Sequence, residues 1–157
     1  MLKIDKNNKI ASRVALGALF AYGNATIAPY SEQFYVGGAN SIRAYSARSI
    51  GPGGYPPDKE KKYSYINHVG DIRMEANVEY RFRIFKSFWG ATFLDAGNVW
   101  LLRKDRKLLA DGKEARPNSQ LRLKTFPKQI ALGTGVGIRY DMDILVFRLD
   151  FGIPLHL

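Results

Sequence analysis

No cysteine occurs in the 157 residues, so the chain has neither a disulfide framework nor a thiolate metal site. That absence is compatible with many compartments and selects none. No stretch approaches the ~20 consecutive apolar residues of a transmembrane helix. Residues 1–11, MLKIDKNNKIA, lack the basic start and apolar core of a secretory signal. They point either to a cytosolic protein or to an internal piece of a longer chain, and the remaining features favour a piece. Histidine is scarce: His68 and His156 are the only two and stand in different predicted regions. No HExxH, nucleophile elbow or phosphate loop is present, so no catalytic constellation emerges and no cofactor or metal is expected. Negative charge is also short, with 14 Asp+Glu against 24 Lys+Arg and a net charge of +10. A basic balance suits polyanions such as nucleic acid, acidic lipid or lipopolysaccharide phosphates. The length is enough for one domain with a modest core.

What the chain does have is aromatics (nine Tyr, nine Phe, two Trp) and long alternating segments. The sharpest is Gly70 to Ile84, GDIRMEANVEYRFRI. Ile72, Met74, Ala76, Val78, Tyr80, Phe82 and Ile84 point one way, and Asp71, Arg73, Glu75, Asn77, Glu79, Arg81 and Arg83 the other. One face is wholly apolar and the other carries both signs of charge. A transmembrane β-barrel strand has this dyad pattern, apolar toward lipid and polar toward a wet lumen. A strand of a soluble antiparallel sheet has it too.

Four more segments read as strands. Ser12 to Tyr22 sets Val14, Leu16, Ala18, Phe20 and Tyr22 on one face. Ser87 to Leu101 gathers Trp89, Ala91, Phe93, Asp95, Gly97 and Val99. Lys128 to Tyr140 opposes Ile130, Leu132, Thr134, Val136, Ile138 and Tyr140 to Ala131, Gly133, Gly135, Gly137 and Arg139. Asp143 to His156 sets Leu145, Phe147, Leu149, Phe151, Ile153 and Leu155 against Arg148, Asp150 and Gly152. These segments run to about eleven to fifteen residues, whereas globular strands average about five to six. Tilted membrane-spanning strands need about nine to eleven. Short turns are expected near Phe85–Lys86 and Asp141–Met142, and long connections over Gly23–Val69 and Leu102–Pro127. Long and short alternate as they do between the two rims of a transmembrane barrel. The fold class is therefore all-β: about five antiparallel strands of a transmembrane barrel wall, with one long inward-folding loop. The segment Leu102–Pro127, rich in Lys, Arg, Asp and Gly, reads first as a solvated loop, and on an outer-membrane protein would lie near lipopolysaccharide phosphates.

The first long connection contains FYVGGANSIRAY (34–45) and SARSIGPGGY (46–55). A loop of that length without regular structure is uncommon unless functional or disordered, and this one is too aromatic for simple disorder. The barrel lumen is the surface available for it to pack on. Gly133, Gly135 and Gly137 share the predicted lumen face. Bare positions in a row leave room for another backbone; a kinked, glycine-rich strand explains them equally well. Arg43 would enter a lumen that carries Glu79, Asp95 and Asp150, and a confined arginine needs a carboxylate partner. Glu79 and Asp95 lie on consecutive strands with inward faces, within reach of one guanidinium. Such a neighbour keeps carboxylates ionised, which suits a structural ion pair better than general-acid chemistry.

The loop GGANSIRAY, with Gly37, Gly38, Ile42, Arg43 and Tyr45, resembles the signature loop of the BamA/TamA superfamily of outer-membrane assembly proteins, the bacterial surface antigen family. Phe93-Leu-Asp95-Ala-Gly97 resembles its second barrel motif, and Ala76-Asn-Val-Glu79-Tyr80 the intervening motif strand. Order and spacing match across essentially the whole chain, and the long loop is closest to TamA-like proteins of Bacteroidetes. The resemblance implies a barrel of about sixteen strands preceded by POTRA domains. It implies that Arg43 is the loop arginine, held in the lumen by Glu79 and Asp95. Ala44 stands where the family has glycine, which is expected to restrict the turn slightly. By strand count, POTRA domains, early strands and the final strand are expected to be missing from residues 1–157, which would be the C-terminal part of the barrel domain. The expected function is non-enzymatic insertion, assembly or translocation at the bacterial outer membrane. The expected partners are outer-membrane lipid and lipopolysaccharide, unfolded outer-membrane clients and a periplasmic or inner-membrane partner, without nucleic acid. The rivals are a two-partner-secretion-type pore exporting an unfolded protein, and a soluble β-rich polyanion-binding module.

Overall fold

The computed structural model describes residues 2–23, 28–55, 68–103, 112 and 116–156. The strands are β1 (Leu2–Lys3), β2 (Asn8–Ala18), β3 (Ile72–Phe85), β4 (Phe88–Trp100), β5 (Ala131–Asp141) and β6 (Val146–His156). A short 3-10 helix, Phe126–Gln129, precedes β5. The strands form one six-stranded sheet in sequence order, and every neighbouring pair is antiparallel. β1 and β6 are its two edges, so the described sheet is open.

Turn chemistry explains the short connections. Between β3 and β4, Lys86 takes φ 40°, the positive value that tight hairpins favour. Between β5 and β6, Asp143 takes φ 64°, and its N–H donates to Asp141 Oδ1 at 3.0 Å, an Asx turn. Before β2, Asp5 Oδ1 accepts from the N–H groups of Asn7 at 2.6 Å and Asn8 at 2.8 Å. All three turns leave one end of the sheet, and the long connections leave the other.

The structure has one more strand than the five expected. β1 is only two residues long, too short for periodicity to reveal, and it depends on the polar Asp5–Asn8 turn. β2 begins at Asn8 rather than Ser12 and ends at Ala18, so Phe20 and Tyr22 lie beyond it. Leu19 N–H makes a further bond to Asp71 O at 2.8 Å.

The two sheet faces are opposite in character. On one, Val14, Leu16, Val78, Tyr80, Phe82, Leu94, Val136, Ile138, Leu149, Phe151 and Ile153 are all exposed. Cross-strand pairs such as Val136–Phe151, Ile138–Leu149 and Tyr140–Phe147 line them up. On the other, Glu75, Glu79, Asp95 and Arg139 are buried beneath the loop that follows β2. The apolar core is there as well: Val36, Ile42 and Ile50 of the loop pack on Val99 and Ala131, flanked by Phe34 and Tyr45.

Candidate functional site

The loop closes on itself before it meets the sheet. Arg48 N–H donates to Val36 O at 3.1 Å and Gly38 N–H to Tyr45 O at 2.8 Å. Gly37 and Gly38 have φ of 101° and 95°, and a Cβ on Gly37 would collide with Ser46 O. Inside this closure, the N–H groups of Ser41 and Tyr45 donate back to Gly38 O at 3.0 Å and Ile42 O at 3.1 Å. Ile42 is fully buried, and its Cδ1 lies over Gly97, where an added Cβ would come within 3.2 Å. That seat aims the next residue, Arg43, along the charged face.

Arg43 forks onto Asp95. Its Nε donates to Asp95 Oδ2 at 2.8 Å and its Nη2 to Asp95 Oδ1 at 2.9 Å, while its backbone N–H reaches Oδ2 at 3.1 Å. Its Nη1 donates to Glu79 Oε2 and stands 3.8 Å from Asp150 Oδ2. The guanidinium lies 3.6 Å from the centroid of the Phe93 ring, a cation–π stack. Side-chain exposure is 8% for Arg43 and 0% for Asp95. Burial alone would lower the arginine's pKa, but the hydrogen bonds to Asp95 and Glu79 outweigh it, and the net direction is upward. The bidentate, charge-assisted geometry is the strongest form such a pair takes.

The cluster continues on both sides. Glu79 also accepts from Arg139 Nη2 at 3.0 Å and from Arg81. Arg139 bonds Asp150, which stands 3.2 Å from Arg148 Nε. Asn77 Nδ2 donates to Asp95 Oδ1 at 3.0 Å and to Ser41 O at 2.7 Å. Ser41 Oγ donates to Glu75 Oε1 at 2.6 Å. Tyr45 reaches β6, its hydroxyl donating to His156 O at 2.7 Å, and burial pushes its pKa up.

The glycines divide by what lies on them. Gly133 faces Ala44, whose methyl would stand 2.5 Å from an added Cβ, and Gly152 faces the Arg43–Ala44 backbone. Gly135 lies beside the Phe93 ring and Gly137 beneath the Asp150 carboxylate. Loop atoms therefore occupy the space beside Gly133, and side chains the space beside Gly135 and Gly137. Ala44 does not strain the turn as expected: its φ is not positive, and its methyl fits against bare Gly133.

Reading the sequence did not single out Asn77, Ser41, Glu75 or Arg139 as members of the cluster, nor Phe93 as the platform under Arg43. For the strand residues a signal existed: Glu75 and Asn77 share period-two parity with Glu79, as Phe93 does with Asp95. Asn98 is another omission. It is fully buried and its Nδ2 donates to Gly53 O at 2.9 Å and to Gln129 O, joining the two long connections. Residues 104–111 and 113–115 of the basic stretch 102–127, read first as a solvated loop that on an outer-membrane protein would lie near lipopolysaccharide phosphates, lie outside the described residues. His68 is buried beside Gly51 and His156 sits on β6, so the two histidines form no pair.

Comparison with known proteins bears on the family and the fold. The model of the Omp85 superfamily domain matches residues 1–157. The outer membrane protein assembly factor BamA of Neisseria meningitidis serogroup B is 30% identical over 154 residues, covering 89% of this chain and 18% of that protein. The crystal structure of BamA from Haemophilus ducreyi lacking POTRA domains 1–3 superposes with a TM-score of 0.71 at 16% identity, over 99% of this chain and 30% of that one. At that identity the likeness concerns the fold. The chain thus spans less than a third of the length of either relative, and neither supports the expected nearer likeness to TamA-like proteins of Bacteroidetes.

Proposed function

Because the chain belongs to the Omp85 superfamily, we propose that it forms part of the wall of an outer-membrane barrel that inserts or assembles other outer-membrane proteins. The location is the bacterial outer membrane, and the exposed apolar face is the lipid-facing one. In the proposed mechanism no bond is made or broken. Barrel edges and local membrane distortion help client strands insert, and the loop braces the wall from within. The carrying observation is the buried fork of Arg43 on Asp95 with Phe93 beneath it. Asp95 and Glu79 are both engaged by guanidinium groups, which leaves neither free for general-acid work.

An open sheet edge is not tolerated in lipid, so β1 and β6 are read as meeting further strands of the same barrel. POTRA domains before it, unfolded outer-membrane proteins as clients and lipopolysaccharide at the long-loop rim complete the reading. The soluble polyanion-binding alternative is set aside, because its surface would be the apolar face. The test is a charge swap in the full-length barrel that carries this segment. Arg43→Glu should reduce the heat-modifiable folded form and the level of assembled outer-membrane proteins. Adding Asp95→Arg should recover part of both. Glu79→Arg should recover less, since it places a new cation beside Arg81 and Arg139. Unchanged folding and client levels in Arg43→Glu would remove the lock from the proposal.

A further inference from the structure

The loop has a second attachment that does not involve Arg43. Its tip, Ala39–Asn40, is exposed and lies between two arginines from strands far apart in the sheet. From β2, Arg13 Nη2 donates to Asn40 O at 3.0 Å. From β6, Arg148 Nη2 donates to Ala39 O at 2.7 Å and to Asn40 Oδ1 at 3.0 Å. Each arginine is oriented by its own strand neighbourhood. Arg13 also holds Glu75 Oε2 at 2.8 Å and Asn77 Oδ1 at 3.1 Å, and Arg148 holds Asp150 at 3.2 Å.

We propose that Arg13 and Arg148 are positioning residues that tie the loop tip across the lumen, from β2 to β6, and so hold it as a partial closure of that lumen. The inference rests on reading the charged face as a lumen. Three features carry it. The acceptors at the tip include two backbone carbonyls, so the tie does not depend on a particular side chain there. Arg13 and Arg148 sit on strands separated by β3, β4 and β5, so simultaneous engagement fixes the tip relative to both sides of the described wall. A cavity of about 300 Å³ lies beside the tip, lined by Arg13, Asn40, Arg43, Asn77, Arg81 and Arg148. Freeing the tip would join that space to the lumen. The Arg43 fork anchors the root of the turn, and the tie anchors its end.

The experiment uses the full-length barrel with a nitroxide on Ala39→Cys; residues 1–157 contribute no native cysteine. The label should give an immobilised spectrum. Arg13→Ala with Arg148→Ala should narrow the lines and raise open-channel events in planar bilayers several-fold, while the heat-modifiable band persists through the Arg43 cluster. Arg148→Lys should restore part of the immobilisation. Unchanged spectra and conductance in the folded double variant would overturn the tie. If the double variant does not fold, Arg148→Ala alone, which removes the bonds to Ala39 O and Asn40 Oδ1, should still mobilise the label measurably, and its failure to do so would count equally against the proposal. Failure of the barrel reading is distinct: it would abolish the heat-modifiable band and bilayer conductance in the parent itself.

Discussion

The outer face of the sheet and the face beneath the loop invert what a water-soluble protein does. Leu149 is 74% exposed and Phe151 69%, while Arg43 is 8% exposed at its side chain and Asp95 0%. In water, large apolar side chains go inside and charged ones almost never do unless paired. Here the apolar side gains from lipid, which is non-directional and asks only for apolar surface. The inner side gains from forks, short donors and a ring under a cation, which demand particular geometry. The outer face therefore specifies that the sheet lies in a membrane, and the inner face specifies where the loop sits.

The largest expected effect comes from breaking the inner side. Asp95→Ala leaves the Arg43 fork, the Arg43 N–H and the Asn77 amide without their shared acceptor. Removing one partner of a buried pair costs about 3–5 kcal/mol, to be read from urea unfolding of the full-length barrel in lipid vesicles. The outer face gives the next effect. Val136 is 60% exposed, and in water a substitution at such a site stays within about 0.5 kcal/mol. Facing lipid near the midplane, Val136→Arg should cost about 2–4 kcal/mol in the same assay. A negligible cost would mean that the outer face does not see hydrocarbon. Third is the seat of Ala44. Gly133→Ala puts two methyl groups in one space and should cost about 1–3 kcal/mol by overpacking. Adding Ala44→Gly should return most of it, a coupling that a double-mutant cycle isolates.

How much of this was legible depended on whether a feature repeats. β3, β5 and β6 were readable because the two faces differ in character along most of each strand, as from Ile72 to Ile84. β1 was not, because two residues carry no period. The start of β2 was hidden because Asn8 and Lys9 are both polar and follow a polar turn, so they mark no face. The acidic partners of Arg43 followed from parity on adjacent strands. The Phe93 platform did not, since a strand's period says which face a ring occupies and nothing about what lands on it. Arg13 and Arg148 at the loop tip were illegible for the same reason. The meeting of residues 13, 40 and 148 is a product of the folded loop and of no local pattern.

The smallest effect belongs to a third environment, the short-turn rim in water. Asp5 accepts from the N–H groups of Asn7 and Asn8 and, at 2.9 Å, from the Asn8 side chain. The Asn8 side-chain bond, followed by the Asn7 backbone bond, holds its carboxyl below the usual aspartate value. A folded pKa below the unfolded one means that the turn's stabilisation is present above the unfolded value and is lost as pH falls through the folded one. Protection factors of the Asn7 and Asn8 amides should therefore drop in acid, with β1 fraying from Ile10 and Lys9. Asp5→Asn should abolish that pH dependence and leave β3–β6 untouched. Because Asp5 is fully exposed, salt and solvent screen its charge and the change stays local. If acid instead loosened β3–β6 at the same pH, the rim and the buried cluster would not be separable environments, and the contrast between the water-facing turn and the buried cluster would fail.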